Sequence, residues 1–356
     1  MKPVGARRLL VVFLVAAAGW FVVQTWGFRQ VPHPRQEAMA RAEARTTAAF
    51  AAVDSVKRAR GLLSESSSPI RWSALLGEDY TPITTTLGSL QAKEAATNPA
   101  WAAVMVKLLD EAGVGQGDVV GILASGSFPA LAIATLAAAQ ELGAQSYVAV
   151  SLGASTYGAN GRLATWLDLE EWVRTAGAVA ATREMVTLGG EGDGGGGMDD
   201  EGRAWLEQAL VRHGRTALVP HDLPEAIAAR MTFLDVPRLA AVVNVGGGQA
   251  ALGRCPHAES LPAGRWPAGS GCDCPERGAA TRLHEKGVPV INLLSIRDLA
   301  MQYGLDSEPG REYRDAGRPD LVRRADRRLP LGALALIALA LFWCLRPARG
   351  SRTATH

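Results

Sequence analysis

The chain has 356 residues, enough for one large domain or two ordinary ones. Its 37 lysines and arginines nearly cancel its 35 aspartates and glutamates, for a formal charge of +2. That balance excludes a nucleic-acid binder working by overall charge, so no nucleic-acid partner is expected.

Lys2, Arg7 and Arg8 precede an apolar run from Leu9 to Trp26, roughly long enough to cross a hydrocarbon core. Gly19-Trp20-Phe21 and Gln24-Thr25-Trp26-Gly27 do not form a small-x-small cleavage site. Residues 1–28 are therefore predicted as an uncleaved transmembrane anchor with a basic start. Residues 29–69 are read as a juxtamembrane helix and linker. Pro34 to Arg60 is rich in Ala, Arg and Glu, with apolar positions at Met39, Phe50, Val53 and Val56, and Ser64 to Pro69 is a loop.

Residues 70–305 are predicted as an α/β globular domain. Asn98-Pro99 opens a helix through Leu109, ended by Gly113. Val119 to Ala124 is an apolar strand, Ala130 to Leu142 a helix closed by Gly143, and Tyr147 to Leu152 the next strand. Glu170 to Thr175 is helical. The glycine run Gly189 to Gly197 has almost no side chain to bury and reads as a mobile surface loop. Asp199 or Asp200 starts a helix through Arg212, and Leu223 to Met231 is another. Leu239 to Val245 and Val288 to Leu294 are the last strands. This alternation predicts a mostly parallel open sheet with helices on both faces. Residues 306–328 read as a charged tether, 329–345 as a second transmembrane helix and 346–356 as a basic tail. Two spans put both termini on one membrane face. The short basic start favours termini in the cytoplasm and the main domain outside the cell (inner) membrane. Arg323, Arg324, Arg327 and Arg328 pull the other way, but the rule weakens for long loops.

Three turns would lie at the carboxyl edge of such a sheet, where open α/β folds bind ligands. The first is Ser125-Gly126-Ser127-Phe128-Pro129. It reads as an anion-binding turn at a helix N-terminus, as a structural cap, or as a nucleophile site with Ser125 or Ser127 as catalytic candidate. It lacks the Gly-x-Ser-x-Gly elbow. The second is Asn244-Val-Gly246-Gly247-Gly248-Gln249, either a tight βα turn or a backbone cradle; the acid that a dinucleotide site needs about twenty residues on is missing. The third holds Asn292, Ser295, Arg297 and Asp298. Arg297 would grip a carboxylate bidentately, or pair with an acid of its own chain. Thr84, Thr85, Thr86, Ser89, Lys93 and Asn160 either line the same cleft or serve as turn and cap residues.

Cys255-Pro-His257 and Cys272-Asp-Cys274 have poor spacing for zinc. A disulfide from Cys255 to Cys272 or Cys274 fits an external domain, and free thiols are the alternative. No histidine pairs with an acid at a telling spacing. No Walker loop occurs, and neither metal nor cofactor is called for.

Tyr80-Thr-Pro-Ile-Thr-Thr-Thr-Leu-Gly-Ser-Leu90 with Lys93, Ser125-Gly-Ser-Phe-Pro129, Ser151-Leu-Gly-Ala-Ser-Thr-Tyr-Gly-Ala-Asn160, Asn244-Val-Gly-Gly-Gly248 and Pro289-Val-Ile-Asn-Leu-Leu294 together resemble the poly-γ-glutamate system protein family. That family is a membrane-anchored group associated with making and exporting poly-γ-glutamate. The resemblance implies a membrane-anchored accessory component that binds the anionic polymer or a glutamyl ligand at these loops. Its partners would be the lipid bilayer and other membrane proteins of the synthesis and export system. Two alternatives stand beside it: a hydrolase or transferase cutting the γ-glutamyl chain with a serine, and a non-catalytic scaffold for the synthase and exporter.

Overall fold

The structure is a computed structural model that describes residues 6–26, 28–63, 70–180, 182–305, 321–325 and 328–345. The basic residue Lys2, the Ser64 to Pro69 loop, most of the 306–328 tether and the 346–356 tail lie outside the described residues. The chain divides into two compact units, Met1–Pro34 with Leu321–His356, and Arg35–Asp320.

In the first unit, the helices Ala6–Trp26 and Arg328–Leu345 are each long and apolar enough to cross a membrane. They pack together where Gly19 has no side chain: a Cβ there would sit 3.2 Å from Ala333 Cβ. Arg8 donates to the Cys344 carbonyl at 3.3 Å and stacks over the Trp343 ring. The strands Phe28–Pro32 and Leu321–Ala325 pair antiparallel, with Phe28 opposite Ala325. Part of the expected tether is thus a strand. A charged composition does not prevent this, because a ladder is bonded through its backbone.

The second unit is built on a six-stranded sheet in the order Gly264–Arg265, Val290–Leu293, Leu239–Val245, Val119–Ser125, Gln145–Ser151, Arg183–Thr187. Every pairing is parallel except that of the short Gly264–Arg265 edge. Numbering the parallel strands along the chain gives 3-2-1-4-5, the doubly wound order, with its reversal between Val119–Ser125 and Leu239–Val245. Alternate residues of the central strand face opposite layers. Val120, Ile122 and Ala124 enter one apolar cluster and Leu123 the other. Gly121 keeps the second layer close, since a Cβ there would lie 3.0 Å from Leu234.

The Pro129–Glu141 helix is buried along nearly its whole length, because the helices Gln36–Arg60 and Trp101–Glu111 pack outside it. Its many alanines suit that sandwiched position. The Gln36–Arg60 helix therefore belongs to the globular domain, whose boundary lies near Arg35 and not at residue 70. Met39, Phe50 and Val53 are fully buried in the main core. Gly113, Gly143 and Gly177 all adopt the left-handed conformation that closes a helix.

One buried pair carries a cost. Glu170, on the helix Trp166–Thr175, and Glu184, on the edge strand, repel across the interface. Burial, and then that repulsion, push the Glu170 carboxyl up to about 7, and burial raises Glu184 as well. An acid whose folded pKa is raised weakens the native state as pH climbs from its unfolded value towards 7. Glu170→Gln is therefore expected to stabilise the domain at pH 8 by on the order of 2 kcal/mol, and to change little at pH 4. Thermal unfolding at the two pH values checks this.

Candidate functional site

The order reversal opens a crevice beyond the ends of Val119–Ser125 and Leu239–Val245. The structure has a cleft of about 430 Å³ there. Ser125, Ser127 and Phe128 line it from the first βα turn, and Gly247, Gly248 and Gln249 from the turn after Leu239–Val245. Thr85, Thr86, Gly88 and Lys93 line it as well, as do Ser151, Gly153 and Ser155, and Glu191, Asp193 and Gly196. A second hollow of about 370 Å³ lies at the other end of the strands, around Gln145, Tyr147 and Arg183. It gathers no comparable set of hydroxyls.

Lys93 is the centre of the cleft's chemistry. It lies on the short helix Leu90–Ala96, capped by Ser89, and is 3% exposed. Its Nζ donates to Ser155 Oγ at 2.7 Å and to the Ser127 carbonyl, and the Phe128 ring covers it at 3.6 Å. Among the described residues, no carboxylate pairs with it. Burial alone pulls the amine down to about 7. Gly88 makes the contact possible: a Cβ there would come within 2.9 Å of Ser155 Oγ and 3.2 Å of Lys93 Cε. The Ser155 N–H in turn donates to Ser127 Oγ at 3.0 Å.

One lining residue, Asp193, belongs to a buried ionic network. Arg230, 2% exposed, pairs with Asp193 at 2.7 Å. Ser151 Oγ donates to Asp193 at 2.6 Å and accepts from Arg230 at 3.0 Å, with Thr187 Oγ1 beside it at 3.3 Å. The glycine run Gly189 to Gly197, expected as a mobile surface loop, carries an internal set of backbone hydrogen bonds. The loop is bonded to itself from Gly189 N to Asp193 O and from Glu191 N to Gly196 O. Asp193 anchors it to the buried arginine. Glycine is needed because residues 189, 190, 192, 195 and 197 all have positive φ.

The sequence-derived candidates divide sharply. Thr85, Thr86, Lys93, Ser125, Ser127, Gly247 and Gly248 meet in the cleft. Gly246, at φ 94°, shapes the turn, and a Cβ there would lie 3.3 Å from Ser125 Oγ. Gly126 is packed backbone to backbone, where a Cβ would sit 2.7 Å from the Leu152 carbonyl. Ser89 accepts from Ala92 N as a helix cap. Asn160 is fully buried and ties Glu78 to Thr84. Asn244 bonds Asn292 at 2.8 Å across the ladder, and Asn292 donates to the Pro262 carbonyl, so neither side chain faces the cleft. Arg297 is exposed and outside the cleft. Ser295, in a left-handed conformation, turns the chain into the helix Ile296–Gln302. That helix buries Ile296, Leu299 and Ala300 and leaves Arg297 on the solvent face.

Ser155, Ser151, Asp193 and Arg230 were not among the candidates. Both serines lie in the Ser151–Asn160 segment already singled out, at and just beyond a strand's carboxyl end, which was the available signal. Cys255 and Cys272 form a disulfide with Cα atoms 5.8 Å apart, while Cys274 stays free. The disulfide consumes two of the residues considered for zinc. His213 does meet acids in space, Asp168 at 2.9 Å and Glu171 at 3.1 Å. Asp168 is occupied capping the Trp166–Thr175 helix, so this contact is structural.

Comparison with protein-family models, with curated proteins and with solved structures gave no match. The site therefore stands on its own geometry. Asp193→Ala would leave Arg230 buried without a counter-charge, and is expected to cost about 3–5 kcal/mol in denaturant unfolding. The double variant Asp193→Ala with Arg230→Met is expected to recover much of that loss.

Proposed function

We propose that the chain is a membrane-tethered component of poly-γ-glutamate synthesis or export whose cleft holds a carboxylate-bearing γ-glutamyl chain. The pathway rests on the sequence resemblance. The observation that carries the site is the convergence of two βα turns, Ser125–Phe128 and Gly246–Gly248, at the sheet's order reversal. The helix Pro129–Glu141 begins there, with no acid in its first turn and no side chain capping it. Its positive dipole end favours an anion at that edge. Thr85, Thr86, Ser125 and Ser127 add hydroxyls that suit carboxylates and amide groups alike. The two apolar helices would anchor the domain in the bilayer beside the other membrane proteins of the system.

Gly248 offers a test that leaves the fold alone. Its backbone is ordinary, φ −58° and ψ 133°, and a Cβ there meets nothing within 4 Å. Gly248→Leu should fill the cleft, weaken binding of a poly-γ-glutamate oligomer by about 10-fold or more, and leave the unfolding midpoint unchanged. Arg297→Ala, outside the cleft, should bind within about 2-fold of the wild type. Wild-type affinity in Gly248→Leu would remove the cleft from the account.

A further inference from the structure

We propose that Ser155 is an acyl-accepting nucleophile and Lys93 its general base, so that the cleft cleaves amide bonds. The identity of the substrate, a γ-glutamyl amide, rests on the reading of the cleft given above. The chemistry rests on the geometry alone.

Four serines line this cleft, and the structure separates them. Ser151 is committed to Asp193 and Arg230. Ser125 Oγ accepts the Ser127 N–H at 3.3 Å, and Ser127 Oγ accepts the Ser155 N–H. Ser155 alone of the four has an amine on its hydroxyl, at 2.7 Å. That amine is enclosed by the Phe128 ring, the Ser127 carbonyl and the Gly88 turn, which hold Nζ against Oγ. A lysine can accept a proton only when neutral, and desolvation without a carboxylate partner favours that state. A salt-bridging lysine would be built differently, with an acid in place of the hydroxyl.

The step balances without a metal or cofactor. Ser155 Oγ bonds to the amide carbonyl carbon while Lys93 Nζ takes the hydroxyl proton. The C–N bond then breaks, and Lys93 returns that proton to the leaving amine. Water attacks the Ser155 ester, Lys93 takes a proton from it, and the carboxylic acid departs as Ser155 regains its hydroxyl hydrogen. The sum is amide plus water giving carboxylic acid plus amine.

The test uses full-length protein in detergent and a fluorophosphonate probe, which phosphonylates activated serines, with the adduct located by peptide mass spectrometry. The adduct is expected on Ser155. Labelling should be lost in Ser155→Ala and should slow by about 10²-fold or more in Lys93→Met. Lys93→Met keeps the buried side chain's length, and an unchanged unfolding midpoint verifies its fold. An adduct on Ser125, Ser127 or Ser151, no adduct at all, or full-rate labelling in folded Lys93→Met overturns the proposal. Binding of a poly-γ-glutamate oligomer to the same samples separates the two readings. Binding without an adduct defeats only the catalytic inference, whereas an adduct without binding defeats only the polymer assignment.

Discussion

The reversal of strand order between Val119–Ser125 and Leu239–Val245 is the constraint from which the rest follows. Crossovers on either side of it run to opposite faces of the sheet, so the two following turns splay apart and leave a crevice. Every group with plausible chemistry is placed by that crevice. The first turn carries Ser125 and Ser127, the second carries Gly247 and Gly248, and the next strand ends at Ser151, four residues before Ser155. The segment Thr84–Thr86 pairs with Ala154–Ser155 and brings the Lys93 helix across the opening.

Two buried cations in this site are handled in opposite ways, and the difference separates their roles. Arg230 cannot lose its charge, so its burial demands Asp193, and the pair fixes the glycine loop. Lys93 can lose its charge and has no acid, so burial shifts its protonation instead. A third buried cation, Lys57, is likewise drawn down, to about 8, by burial with Glu78 opposing. It donates to the Leu76 carbonyl and holds a chain segment. Among the described residues, only Lys93 combines desolvation, a hydroxyl partner and an open cleft.

Local signals made much of the fold legible. Apolar β-branched runs ended by glycine marked the strands Val119–Ser125 and Leu239–Val245 within a residue of their ends. The helix starts at Pro129, in a first turn, and at Asp199 or Asp200, of which Asp199 is the cap, were equally plain. The two βα turns were placed at one edge because parallel strands put all such turns there. What stayed hidden depended on long-range contact. Lys93 and Ser155 are 62 residues apart, and nothing local announces that they touch. The glycine run looked unstructured because its anchor, Arg230, lies on a distant helix. Arg297 was assigned to the cleft because strand direction places the turn but not the helix face. The left-handed Ser295 and the apolar spacing of Ile296, Leu299 and Ala300 decide that face. The Gln36–Arg60 helix was taken for a linker element because only Met39, Phe50 and Val53 on its buried face are large and apolar, while Ala38, Ala42, Thr46, Ala49 and Lys57 give a weak sequence signal for burial.

The central claim is that Lys93 loses its charge near pH 7, where an ordinary lysine stays protonated. NMR of the side-chain ε-methylene in selectively labelled protein, titrated from pH 5 to 11 with Lys93→Met for assignment, measures it directly. A midpoint about 7, well below the ordinary lysine value of about 10.4, is the predicted result. A midpoint at the ordinary lysine value would show a charged amine, which cannot serve Ser155 as a base, and would contradict the account.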